Sequence, residues 1–352
     1  MTQRKTRLYL SIILILLIVF VTLPQTNATE TKISSPSQNT QPLTLQEQIN
    51  AAAPNTTLYL PSGTYQEILI INKPLHLQGN HTILQPTSQT NGYAIHILAE
   101  NVHLSNLEII NQAPGLYTTA VKISAPHTII QHCFLHDTPI GIAVWSSSNT
   151  ITNTTFQHCQ DEGIVLLGTE DDPCINNTIT HCTFTQNCDG IELQHASHNT
   201  IVSCTFTQNN HAGIDAIEAD NNHNIISTCT FSENNAFGIY LVQGTQNLIT
   251  HCSFNNDHLT LLQASDNTLH QSQIDHITLI DDSALILYQC HNITSDHITT
   301  DDSTFEIQTS NQGQYTINEE PLLARYHQVL IYLLAHLKTF KTFLEQLSDA
   351  RM

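Results

Sequence analysis

The chain has 352 residues, enough for one large domain or two ordinary ones, and a formal net charge of −20. Its few Lys and Arg avoid the middle: from Ile123 to Ala324 there is none, against 23 Asp and Glu. Such a surface repels a phosphate backbone, which excludes nucleic-acid binding. It also disfavours polyanionic sugars unless a cation such as Ca2+ bridges them.

In chain order, Arg4, Lys5 and Arg7 precede an apolar run from Leu8 to Leu23, and Asn27-Ala28 supplies a small-residue cleavage context. Residues 1–28 are expected to be a signal peptide or a membrane anchor, and either places the remainder outside the cytoplasm. Residues 29–42, rich in Ser, Thr, Gln and Pro, read as a linker. Thr44-Leu45-Gln46-Glu47 is a capping-box sequence. Leu45, Ile49 and Ala52 share one helical face, so a short helix is expected to cover one end of a stacked repeat.

The middle of the chain is that repeat. Aligned on His127, Asn149, Asn177, Asn199, Asn224, Asn247 and Asn267, the units are spaced by 22, 28, 22, 25, 23 and 20 residues. Two positions on is Ile or Leu, from Ile129 and Ile151 to Leu269. Seven on is Phe134, Phe156, Phe184, Phe206, Phe231 and Phe254, then Ile274. Four units carry Cys five on: Cys182, Cys204, Cys229 and Cys252. Gly141, Gly163, Gly190, Gly213 and Gly238 each precede Ile.

Period-2 alternation in segments this short predicts strands, and one unit cannot bury its own apolar face, so successive units must stack. The expected fold is all-β: a right-handed parallel β-helix over residues 43–318, with roughly ten to twelve rungs. Asn suits each corner because it tolerates left-handed backbone and can hydrogen-bond along a stack. The stacked Cys are expected to act as small interior apolar residues. Of the nine Cys, Cys174 and Cys188 are the expected disulfide pair.

From residue 319 to 352 the pattern changes. Leu323, Tyr326, Leu330, Leu333, Leu337, Phe340, Leu344 and Leu347 alternate by threes and fours. That predicts an amphipathic helix which docks on the β-helix or forms a homo-oligomer through residues 323–347.

The run TLQEQINAAAPNTTLYLPSGTYQEILIINKPLHLQGNHTIL from Thr44 to Leu84 resembles the entry segment of exported NosD-like β-helix proteins. Repeats such as NTITHCTFTQNCDGIEL resemble that family's carbohydrate-binding and sugar-hydrolysis repeats. The resemblance covers about residues 44–310 and implies a pectate-lyase-like fold, an architecture that hosts lyases, hydrolases, epimerases, maturation factors and adhesins.

Function should be written in the outward positions of the Gly-Ile strands. These are Ala143 and Trp145, Val165 and Leu167, Glu192 and Gln194, Asp215 and Ile217, Tyr240 and Val242. Glu192 and Asp215 fall on adjacent rungs, ~5 Å apart by strand spacing, and Glu162 and Asp189 stack likewise just before the strand. Paired carboxylates can divide acid and base roles, and Trp145 and Tyr240 could stack on sugar rings. The expected function is an exported β-helix that binds carbohydrate or scaffolds a cell surface. The alternative is a glycoside hydrolase or epimerase using Glu192 and Asp215, with Glu162, Asp189, Gln194, Trp145 and Tyr240 binding substrate. Lyase chemistry of the pectate-lyase type needs a Lys or Arg on this face, and none is expected there. Glu170, Asp171 and Asp172 form either a Ca2+ site or a solvated turn. The NosD resemblance implies, as a second alternative, a role in copper maturation. Asn55, Asn80, Asn153, Asn176 and Asn292 open Asn-x-Thr sequences that permit glycosylation.

Overall fold

A computed structural model describes residues 43–319, apart from 219, 275, 281–282, 289, 291–293, 299–303 and 309–315. Residues 1–28, the linker 29–42 and, beyond Glu319, which closes a strand, the helix expected over 319–352 with its expected docking or self-association lie outside the described residues. Among the described residues no helix is long and apolar enough to cross a membrane.

The described residues form a right-handed parallel β-helix. Its strands form a 12-stranded sheet and a 19-stranded sheet, and the named strand pairings are parallel. One helix, Leu45–Ala51, precedes them. Thr44 Oγ1 accepts from the Glu47 N–H and the Glu47 carboxylate accepts from the Thr44 N–H, completing the capping box. Leu45 and Ile49 are buried in the same apolar core as the first strands.

Stacking puts each interior residue on its equivalent in the next rung. Phe156, Phe184, Phe206, Phe231 and Phe254 form a continuous stack with centroids 4.7 to 4.9 Å apart. Cys182, Cys204, Cys229 and Cys252 run beside them, each buried. The glycines before each Ile exist for this stack. A Cβ at Gly190 would lie 2.5 Å from Gly213 O and 2.6 Å from Phe206 Cδ1.

The Asn residues form a ladder. The N–H groups of Asn149, Asn177, Asn199, Asn224 and Asn247 each donate to the Asn Oδ1 one rung on, at 2.8 or 2.9 Å, ending at Asn267. A second ladder runs from Cys159 through Asn187, Asn209 and Asn234 to Asp257. These bonds satisfy corner backbone that no strand pairs. The left-handed residue is not the ladder Asn but the one before it: Ser148, Asn176, His198, His223, Gln246 and Asp266 all have φ between 56 and 63°.

The first unit of the repeat is shifted by one from the sequence alignment. Ile130 pairs with Ile151 and Leu135 with Phe156. Ile130 and Leu135 are buried, whereas Ile129 is 40% exposed and Phe134 lies on the outer side against His136. His127 therefore matches Ser148, and Thr128 takes the ladder position, its N–H donating to Asn149 Oδ1. In a strand a one-residue slip exchanges the two faces.

Cys174 and Cys188 are both free thiols, which corrects the expected disulfide between them. Cys174 is buried with its Sγ 3.3 Å from Ser146 O, while Cys188 lies on the outer face of the 12-stranded sheet.

Candidate active site on the outer face of the 12-stranded sheet

Four strands of the 12-stranded sheet carry the site: Ile140–Val144, Glu162–Leu167, Asp189–Gln194 and Ala212–Ala216. Parallel register places Glu162 beside Asp189, and Val165, Glu192 and Asp215 in one column. The expected neighbours are thus neighbours. They are not solvated surface acids, however. Glu162, Asp189, Glu192, Asp215 and His211 are exposed by between 0 and 7%.

Glu162, Asp189, Glu192 and His211 floor a cavity of ≈ 540 Å³, and Asp215 lies beneath it, outside the lining. Its other walls include Leu116, Tyr117, Trp145, Val165, Leu167, Gln194 and Glu218. Trp145 is 49% exposed, and Lys122 Nζ sits 5.2 Å from its ring centroid. Lys122 corrects one expectation: a basic residue does stand on this face, in the outward column, paired with Ala143. It is three rungs from Glu192, so it does not neutralise the acids. Tyr240 is a second correction. It is buried, stacked on Phe237 with centroids 4.6 Å apart, and does not line the cavity. Glu170, Asp171 and Asp172 stand exposed on a loop and do not converge on one point.

The acids divide into two groups. The first is a run of neighbouring carboxyl groups, Asp161, Glu162 and Glu192, whose ionisation is mutually linked, with Gln194 Nε2 donating to Glu192 Oε1. Burial, aided by the other acids, holds the Glu162 carboxyl well above the usual range. Burial likewise pushes Glu192 up to about 8 and Asp161 up to about 6. A raised value favours the protonated, neutral form of each group.

The second group is Asp189, His211 and Asp215. Asp189 Oδ1 accepts from the Ala212 N–H at 2.8 Å and lies 2.8 Å from His211 Nδ1. Asp215 Oδ2 lies 3.4 Å from the same Nδ1, yet neither Asp215 oxygen has a hydrogen-bond partner. Burial and the neighbouring Asp189 and Glu192 raise the Asp215 carboxyl well above its usual range.

Asp161, His211 and Tyr117 do not stand out in the sequence. Two of them carry a signal there. Asp161, Cys188 and His211 each stand two residues before a repeat glycine, and their backbones bond rung to rung, Cys188 N to Asp161 O and His211 N to Cys188 O. That column adjoins the Glu162–Asp189 column. Tyr117 comes from a loop with no repeat signal.

A family model described as periplasmic copper-binding protein (NosD) matches residues 75–285. A search of curated protein sequences finds no match. Among solved structures, the A-module of a mannuronan C-5 epimerase from Azotobacter vinelandii superposes with a TM-score of 0.61 at 14% identity, over 78% of this chain and 94% of that one. The catalytic unit of a GH87 α-1,3-glucanase from Streptomyces thermodiastaticus gives 0.56 at 11% identity, over 78% and 64%. PfbA, a surface adhesin of Streptococcus pneumoniae, gives 0.55 at 13% identity, over 78% and 87%. At these identities the likeness shows the fold alone.

Copper in its reduced form needs soft sulfur ligands. The stacked Cys do not fit: they point into the core, with Cys204 Sγ bonded to the Val202 carbonyl. The two Met, Met1 and Met352, lie outside the described residues. Oxidised, divalent copper accepts imidazole and carboxylate. Asp189, His211 and Asp215, each with a ligand atom within 4.8 Å of the others, fit that ion. With its model matched over more than half of the chain, the protein belongs to the family of periplasmic copper-binding proteins (NosD).

Proposed function

We propose that the protein is an extracytoplasmic enzyme that cleaves glycosidic bonds in a neutral saccharide bound in the acidic groove. The observation that carries this reading is the cluster of neighbouring carboxyl groups Asp161, Glu162 and Glu192 on the floor of a cavity with exposed aromatic walls. A surface that only bound sugar would have no use for it. Burying carboxyl groups away from any cation costs stability, and groups with displaced pKa values concentrate where protons are moved.

In this reading Trp145 and Tyr117 hold the apolar faces of sugar rings. Glu192 holds a proton at Oε2 or Oε1 and delivers it to the leaving oxygen as the glycosidic C–O bond breaks. Asp161, half-buried and ionised above about pH 6, takes a proton from the attacking water. Glu162 bridges the two and orients both. Gln194 fixes the Glu192 carboxyl. No Lys or Arg among the described residues stands beside the acids, which favours neutral over anionic sugars.

Export is supported by the basic and apolar segments of residues 4–23 and by the family's periplasmic description. The test of function is a panel of neutral and uronate-containing polysaccharides, scored for new reducing ends. Release from a neutral glycan, lost in Glu192→Gln, is expected. Release unchanged by that substitution, or none from any neutral glycan, contradicts the reading.

A further inference from the structure

We propose that Asp189, His211 and Asp215 bind a first-row divalent transition ion at the edge of the groove, adjoining the Asp161–Glu162–Glu192 cluster. The placement is a product of the stacking. Asp189 opens one strand, His211 immediately precedes the next, and Asp215 is that strand's penultimate residue. One ligand atom from each lies within 4.8 Å of the others.

The observation that points to an ion is Asp215. It is 0% exposed, and neither carboxylate oxygen has a hydrogen-bond partner. An enclosed carboxyl group beside a second one is costly, and a cation between them offsets that cost. No Lys or Arg among the described residues reaches it. The His211 Nδ1 stands 3.4 Å from its Oδ2.

The donor set selects the class of ion. Calcium takes ~6–8 oxygen ligands, and magnesium keeps several waters in an octahedron of oxygens. Neither favours an imidazole. Cys188 lines the same cavity but is not one of the three converging groups, so the set holds no sulfur, which disfavours monovalent copper. Two carboxylates and one imidazole suit zinc, manganese, iron or divalent copper. The surroundings also resemble an organised ligand shell. The Ala212 N–H fixes Asp189 Oδ1, and the His211 ring stands edge-on to Phe237, centroids 5.5 Å apart at 89°. Three protein ligands leave further coordination positions for water or a sugar hydroxyl, and Asp189 and His211 both line the cavity. An ion here would also bridge an anionic group on a ligand, which the acidic floor otherwise repels.

The experiment is calorimetric titration of the chelator-treated full chain with Zn2+, without saccharide. One equivalent should bind saturably. Asp215→Asn and His211→Gln should each weaken it by ~10-fold or more, and Glu170→Gln, on the exposed acidic loop, should leave it unchanged. Absence of saturable uptake by the wild type, or equal uptake by the Asp215 and His211 variants, overturns the proposal. If either variant fails to fold, X-ray absorption of the zinc-loaded wild type decides. A nitrogen-and-oxygen shell with one imidazole supports the site, and sulfur or an all-oxygen shell overturns it. Because uptake is read without substrate, its failure leaves the hydrolytic reading standing, and a chain inactive on sugars can still bind the ion.

Discussion

Glu192 and Asp215 are register partners on adjacent strands, side by side on the outer face and both almost wholly buried. On an ordinary outer face such a pair would be solvated and ionised. Here burial makes at least one proton an integral part of the folded structure, and that ties stability to pH.

The sign of that dependence comes from the direction of the shifts. Glu192 is raised from an ordinary 4.5 to about 8, Asp161 and Asp257 each to about 6, and Glu162 and Asp215 upward as well. A raised carboxyl binds its proton more tightly when folded, so its contribution is complete below the unfolded pKa and is lost as pH rises through the folded value. Thermal unfolding in the presence of a chelator should therefore show Tm falling from pH 5 to pH 8. Glu192→Gln should flatten the upper part of the slope. A Tm that rises over this window contradicts the protonated cluster.

The glycine column makes a steric prediction. At Gly190 an added methyl would meet the Gly213 carbonyl and the Phe206 ring, neither of which can swing away. Gly190→Ala should cost ~1–3 kcal/mol in urea unfolding, although alanine is normally the better strand residue.

Ladder residues should matter through the donor they leave behind. Asn199→Ala strands the buried N–H of Asn177 and the side-chain amide that shares the same oxygen. The expected loss is about 1–3 kcal/mol, read by the same unfolding experiment.

Much of this is legible in the sequence because the interior is periodic. Ile151, Phe156, Asn177 and Cys204 repeat at fixed offsets, and stacking converts each offset into a column. Where the repeat weakens, the alignment slips. His127 and Phe134 imitate ladder and core residues, and only the pairing of Ile130 with Ile151 reveals the shift. Ile130→Ala should therefore cost ~2–5 kcal/mol and Ile129→Ala less than ~0.5 kcal/mol. The site is half legible. Glu162, Asp189, Glu192 and Asp215 lie on the strand pattern. Their burial does not, since it depends on neighbouring walls such as Val165 and His211 and on a loop carrying Leu116 and Tyr117. Tyr240 shows the same gap: alternation gives its direction, but not that Phe237 would cover it.

Proton donation by Glu192 to a bound sugar is read by separating binding from turnover. On a responsive neutral glycan, Glu192→Gln should retain affinity within about threefold while kcat falls by ~100-fold or more. Trp145→Ala should do the reverse, weakening affinity by up to ~10-fold with kcat nearly preserved. If Glu192→Gln instead turns over at the wild-type rate, Glu192 is not the acid of this reaction.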